Sequence, residues 1–249
     1  MLVDLYVIHY NEERCVKYVT EYWKRLPLRR IFVIDNLSTD SSLPYIKANF
    51  DNVDVLINPE KEFNDRLNRD IKNNVWKHSR GKCDFCIVSD FDEVLWHPDI
   101  VGELNRLKNI ECSVARMRSL CTICRDGDIA DFNGGLLHEH SKIRFYRDTN
   151  YDKRILIDPN AISETNYCEG SHEACMQGVG RECDSDIRIF HINNLGESYI
   201  NSKNKVINPR RCELNRRMLW SVHFERTPEK VHEDFERLWA KSGSYSDFC

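Results

Sequence analysis

Phe85-Cys86-Ile87-Val88-Ser89-Asp90-Phe91-Asp92-Glu93 sets an apolar run directly against three carboxylates. Residues 85–89 read as a strand, and the run 85–88 does not alternate, which suits a sheet covered on both faces. Acids one residue apart at a strand end can share a hard cation, Mn²⁺ or Mg²⁺, and leave positions open for diphosphate oxygens. Such an ion neutralises charge on a departing diphosphate as a Lewis acid. The plain alternative is a solvated turn with a helix N-cap, since a lone Asp-x-Asp is common.

On the N-terminal side, strand and helix patterns alternate. A strand over 2–8 runs into the polar turn His9-Tyr10-Asn11-Glu12. Residues 13–26 form a helix ending before Pro27, with Val16, Val19, Tyr22, Trp23 and Leu26 on one buried face. A strand over 31–34 stops at Asp35-Asn36, and the loop 38–42 offers several N-caps. A helix over 43–49, a strand over 53–57 and a helix over 64–79 complete this half. The order predicts βαβ units and a parallel sheet. Ligands of such sheets collect at the carboxyl ends of the strands, where Asn11, Glu12, Asp35, Asp90 and Asp92 all fall.

Beyond residue 110 the pattern weakens. Strands are expected at 112–118, 142–147 and 187–192, and amphipathic helices at 197–206 and 228–241. No repeat or linker divides the chain, so one domain over 1–249 is expected. Its nucleotide-binding half covers about 1–110, and the half that completes the acceptor and metal sites covers about 111–249. Among 249 residues, 41% are hydrophobic and 31% charged, as in soluble globular proteins. A net charge of −4 predicts no footprint for nucleic acid or membrane surfaces. No apolar run approaches the ~18 residues of a membrane span, and Met1-Leu2-Val3-Asp4 lacks the start of a signal peptide. A cytoplasmic location is the expectation. The eleven cysteines include two Cys-x-x-Cys pairs, Cys83/Cys86 and Cys121/Cys124. They are read as buried free thiols rather than a zinc ribbon, with Cys83 and Cys86 on opposite faces of their strand.

The order of a strand, Asn-Glu-Glu, a helix, a strand ending in Ile-Asp-Asn and a strand ending in Asp-x-Asp-Glu resembles the GT-A fold glycosyltransferases, nearest their family-2-like members. Asn73-Asn74-Val75-Trp76-Lys77-His78-Ser79, Gly170-Ser171-His172 and His191-Ile192-Asn193-Asn194-Leu195-Gly196 add to the likeness, which spans about 3–220. It implies an α/β, GT-A-like (Rossmann-like) fold with a mostly parallel central sheet and helices on both faces. It implies a nucleotide-sugar donor, UDP-linked, and a glycan or other hydroxyl acceptor.

Residue by residue, the resemblance puts His9, Asn11 and Glu12 in the nucleotide pocket and Asp35 on the base, accepting from a uracil N–H. Asp65 touches the ribose or shapes the pocket, unless it is only a first-turn acid favoured by the helix dipole. Asp90 reaches ribose or metal, and Asp92 binds the metal. Phe91 departs mildly from a motif whose middle residue is small or variable, and removes no ligand. His191 ends an apolar strand and completes the metal shell, against the reading of a satisfied core histidine. Lys203, Arg210 and Arg211 form a basic stretch that can pair with the diphosphate or simply be solvated. An inverting enzyme needs a base from the second half of the chain. Glu169 is favoured, His172 is second, and Asp131 and Glu139 stand outside; a retaining mechanism needs none of them. The rival functions are a nucleotidyltransferase, disfavoured because the first turn has no glycine, and an inactive nucleotide-sugar-binding protein.

Overall fold

The computed structural model describes residues 1–129 and 135–248. Four strands, β1 (Val3–His9), β2 (Leu28–Asp35), β3 (Val53–Ile57) and β4 (Phe85–Asp90), pair in parallel in the order β3-β2-β1-β4. Between them run α1 (Val16–Trp23), α2 (Ser42–Asn49) and α3 (Asp65–Asn74), the last continuing into a 3₁₀ turn at Val75–Ser79. Asn64 caps α3 by accepting from the Leu67 N–H. The register sets His9 opposite Asp35 and Ile8 opposite Asp90, so the strand-end polar residues stand level.

Past β4 the sheet becomes mixed. It continues from β4 through β8 (Leu156–Ile157), β6 (Val114–Cys124) and β9 (Glu182–Leu195) to β5 (Glu93–Trp96), with β7 (Arg144–Tyr146) on β6. β6 and β9 are parallel; the other pairs here are antiparallel. The long ladders are parallel, so the sheet is mostly parallel, as expected. Helices α4 (Ile100–Asn109), α5 (Glu197–Arg210), α6 (Glu213–Arg217) and α7 (Pro228–Ala240) complete the fold.

Both faces of the parallel half are covered. Val3, Leu5 and Val7 of β1 and Phe85 and Ile87 of β4 join one apolar cluster with Val16, Val19 and Trp23 of α1. Their alternate neighbours Tyr6, Cys86 and Val88 join a second cluster with Trp76. This explains the non-alternating sequence of β4, since each successive side chain meets a different apolar layer.

Several elements differ from expectation. The strand expected at 112–118 runs on to Cys124, that at 187–192 is the middle of a 14-residue strand, and that at 142–147 shrinks to three residues. β5, α4, β8 and α6 are additional to the elements expected from the sequence. Cys83 precedes β4, so strand alternation does not reach it, and its sulfur lies 3.7 Å from that of Cys86 instead of on the opposite face. Both thiols are free and buried, as are Cys121 and Cys124. Among the described residues no cysteine joins a cluster that can hold a metal.

Candidate active site

β4 ends at Asp90, the chain turns over Phe91 and Asp92, and β5 starts at Glu93. Phe91 points into the core against His9 and Trp23, with ring centroids 4.9 and 5.2 Å away. That burial fixes the turn and leaves the Asp90 and Asp92 carboxylates to meet side chains from other parts of the chain. β9 returns antiparallel to β5 and sets His191 opposite Glu93, while the Ile192 N–H donates to the Asp92 carbonyl at 2.7 Å. His191 thereby reaches Asp92, Nε2 to Oδ2 3.7 Å.

α5 supplies a third partner. Its entry is Gly196 at φ +99°, where a Cβ would stand 2.1 Å from the Asp126 carboxylate. Only glycine fits this turn. Lys203, two turns into α5, places Nζ 3.0 Å from Asp92 Oδ2 and 3.2 Å from Glu12 Oε1. Asp90 faces elsewhere. Lys72 of α3 lies 2.7 Å from its Oδ1, and Lys153 lies 3.5 Å from its Oδ2 while also bonding Glu93. Lys72, Lys153 and Glu93 are almost fully buried.

Four carboxylates and three ammonium groups are thus interleaved, with His191 at one end. Burial pushes the Asp92 carboxyl up, but the charges of Lys203 and His191 outweigh it and hold it well below the usual range. For Asp90, burial is likewise overridden, by Lys72 and Lys153, and its pKa falls to about 2. Glu12 goes the other way, because burial dominates the help from Lys203 and raises its pKa. Burial disfavours the charge on His191, yet Asp92 raises its pKa well above the ordinary value.

Asp92 and His191 suit a hard or borderline cation, being one carboxylate oxygen and one imidazole nitrogen aimed at each other. Adjacent ligands of an octahedral ion with ~2.1 Å bonds stand roughly 3 Å apart, so a small side-chain rotation brings the pair into range. Asp90, Asp92 and His191 do not bring three ligand atoms within 4.8 Å of one another. Asp90 is held back by its lysines.

The remaining expected residues divide. His9 is fully buried; its Nδ1 lies 2.9 Å from Asp35 Oδ1 and 3.1 Å from Ser38 Oγ, so it orients Asp35 and does not line a pocket. Asp35 also accepts from the Ser38 N–H, and these bonds lower its pKa against the opposing effect of burial. Asn11, at φ +51°, accepts from the Thr39 and Asp40 N–H groups and clamps two loops together. Asp65 is buried in the first turn of α3 and accepts from Asn215 and Ser221 at 2.9 and 2.8 Å, which ties α3 to the C-terminal segment. Arg211 is also buried, on Glu225 and the Trp220 carbonyl, which withdraws it from any diphosphate. Arg210 stacks on Tyr10 at 3.5 Å and donates to Asn36, so it stays beside the turns after β1 and β2.

Glu169, favoured above, is bound to Arg69 at 2.6 Å. His172 is held differently. Its Nδ1 lies 2.6 Å from the Asn150 carbonyl, which can only accept, so Nδ1 carries the proton and Nε2 is bare. Its ring packs on Tyr151, whose other neighbour is His191, at centroid distances of 5.4 and 4.3 Å. Gly170, at φ +75°, makes room, since a Cβ there would meet the His172 ring at 2.7 Å. Glu139 lies on a 3₁₀ turn after the first half of the sheet, and Asp131 lies outside the described residues.

Sequence reasoning missed Lys72 and Lys153. Neither sits in a motif, and their partners are 18 and 60 or more residues away.

No known protein family and no curated protein matches the sequence. Solved structures that resemble the fold include S. aureus TarS, with a TM-score of 0.46 and 13% identity over 83% of this chain. This chain spans only 39% of that one. TarS 1–349 in complex with UDP-GlcNAc gives a TM-score of 0.45 at 14% identity, covering 86% of this chain and 68% of that one. The UDP complex of the same fragment gives 0.46 at 13%, covering 84% and 65%. Likeness at this level assigns no function.

Proposed function

We propose that this chain is a metal-dependent glycosyltransferase that moves a sugar from a UDP-linked donor to an acceptor hydroxyl. The observation that carries the proposal is the meeting of Asp92, His191, Lys203 and Glu12, from four separate segments of the chain, beside the carboxyl ends of β1 and β4. Buried charge costs desolvation even when it is paired, so a cluster on this scale is not explained by stability alone, and perturbed groups converging in one place mark candidate functional sites.

Asp92 and His191 would hold Mn²⁺ or Mg²⁺, which when bound supplies Lewis-acid neutralisation of the departing diphosphate. Lys203 is the most exposed ammonium of the cluster and can exchange Glu12 for a phosphate oxygen. Asp90, kept ionised by Lys72 and Lys153, accepts hydrogen bonds from donor hydroxyls. Asp35, oriented by His9, serves the base. His172 is a better base than Glu169, because its Nε2 is unprotonated and has no hydrogen-bond partner among the described residues, while Glu169 is tied to Arg69. A nucleotidyltransferase fits less well, since the turn after β1 is closed by Asn11 and Ser38 and offers no glycine loop to cradle phosphates.

The test is a thermal-shift panel of nucleotide sugars with and without Mn²⁺, followed by turnover of the best binder. A native-state ligand raises apparent stability. UDP-sugars should shift the melt only with the metal present. Asp92→Ala should abolish both transfer and the metal dependence while the apo melt stays cooperative. Near-normal turnover by Asp92→Ala would remove the proposal.

A further inference from the structure

The segment Arg216-Arg217-Met218-Leu219-Trp220-Ser221-Val222 runs from the end of α6 into the 3₁₀ turn at Val222–Glu225, and it presents apolar side chains to water. Leu219 is 72% exposed, the most of any large apolar residue described, and Met218 and Val222 are also exposed. Arg216 and Arg217 are exposed beside them. α5 packs against the turn at Val222–Glu225 and adds exposed Val206 and Lys205.

This is not a slack loop. Leu219 and Ser221 hold left-handed backbone at φ 57° and 54°, which costs energy for residues other than glycine. Buried groups keep them there. The Trp220 N–H donates to the Asn215 carbonyl, the Trp220 carbonyl accepts from Arg211, and the Ser221 hydroxyl donates to Asp65, at 2.9, 2.7 and 2.8 Å. Polar contacts on the inner side thus fasten a strained turn whose outer side is Met, Leu and Val between arginines.

We infer that this surface docks on an anionic lipid bilayer. The charge selects the occupant. Exposed Arg216, Arg217 and Lys205 outnumber the two exposed acids of this stretch, Glu213 and Glu225, and Glu225 is already paired with buried Arg211, although the whole chain carries −4. Apolar side chains flanked by long cations match a membrane interface, where the former enter the acyl boundary and the latter reach lipid phosphates. Net charge hid this, because it sums over the whole chain and not over one surface. No helix among the described residues is long and apolar enough to cross a membrane, so the contact is peripheral. The inference is independent of whether the site transfers a sugar.

The full chain should be sedimented with phosphatidylglycerol/phosphatidylcholine vesicles and with phosphatidylcholine alone, at low and physiological salt. Binding is expected to the anionic vesicles and to weaken with salt. Leu219→Asp and, separately, Arg216→Glu with Arg217→Glu should each lower affinity ~10-fold or more. Val101→Asp, an exposed apolar position on α4, should leave it unchanged. Circular dichroism melts identify any variant that fails to fold, and Met218→Ser replaces it. Absence of wild-type binding to anionic vesicles at low salt overturns the inference, as does equal binding by folded patch variants. A concentration-dependent dimer that the same substitutions dissolve also overturns it and assigns the surface to a second copy.

Discussion

His172 and Glu169 sit three residues apart on one turn, yet their neighbours leave them in different chemical states. Arg69 occupies Glu169, whereas the Asn150 carbonyl spends the single proton of His172 and leaves Nε2 as an acceptor. Partial burial and the Lys153 charge push the His172 pKa below the ordinary 6.5. An inverting transfer that uses this base should therefore show an acid limb in kcat/KM with a midpoint below 6.5. His172→Asn should lose ~10²-fold or more in turnover and lose that limb, with donor affinity kept. Glu169→Gln should fall far less, and the opposite ranking would reinstate Glu169 as the base. His191→Ala poses a separate question. It should weaken Mn²⁺ binding measured in the presence of UDP more than it lowers the melting temperature. Unchanged Mn²⁺ affinity would return His191 to the core histidines. Asp35 should favour UDP over GDP in calorimetry, and equal affinities would end its assignment to uracil.

At the level of elements, α5 shows how one backbone position controls the site. Gly196 turns the chain from β9 into the helix that carries Lys203, and the Asp126 carboxylate fills the space a Cβ would need. Gly196→Ala should cost ~1–3 kcal/mol in urea unfolding. It should also weaken UDP binding, because the helix must shift and draw Lys203 from Asp92. Destabilisation without any change in UDP affinity would show that α5 only supports the fold. The same region marks where sequence stops being legible. The apolar runs of β1, β2 and β4 and the helical face of α1 declared themselves, since local period reflects the layer each residue meets. The acids after β4 were legible too, as a strand end. β5 was not, because Glu93 reads as part of an acidic turn although it is buried in a strand. Asp99 followed by Ile100, Leu104 and Leu107 was an available signal for α4, with Asp99 accepting from the Gly102 N–H. The pairing of Lys153 with Asp90 and Glu93 depends on a crossover through β8, and no local pattern records that.

Across the whole molecule, an apolar frame holds a charged interior, and the two respond to different perturbations. Trp76 is fully buried between α3 and the sheet, its Nε1 donating to Thr165 at 3.3 Å and Arg80 stacked at 4.9 Å. Trp76→Ala should lower stability by ~3–5 kcal/mol in urea unfolding with little dependence on pH. The charged interior should depend on pH strongly. Asp90 has a folded pKa of about 2 against an ordinary 3.8, so the stability it contributes is complete above 3.8 and is lost as pH falls towards 2. Asp92 is depressed further, and its share is lost at still lower pH. Glu12 and Asp65 are raised by burial, so their contribution has the opposite sign and is lost as pH rises above their ordinary 4.5 and 3.8. These opposed terms predict a stability maximum on the acid side of neutrality and a steep fall below pH ~4. Asp90→Asn isolates one of them. The difference in unfolding free energy between wild type and Asp90→Asn should be largest near neutral pH and should shrink steadily between pH ~4 and ~2. A difference that stayed constant over that interval would mean that the Lys72 and Lys153 contacts do not depress the Asp90 pKa in solution, and the interleaved charge network would lose its main support.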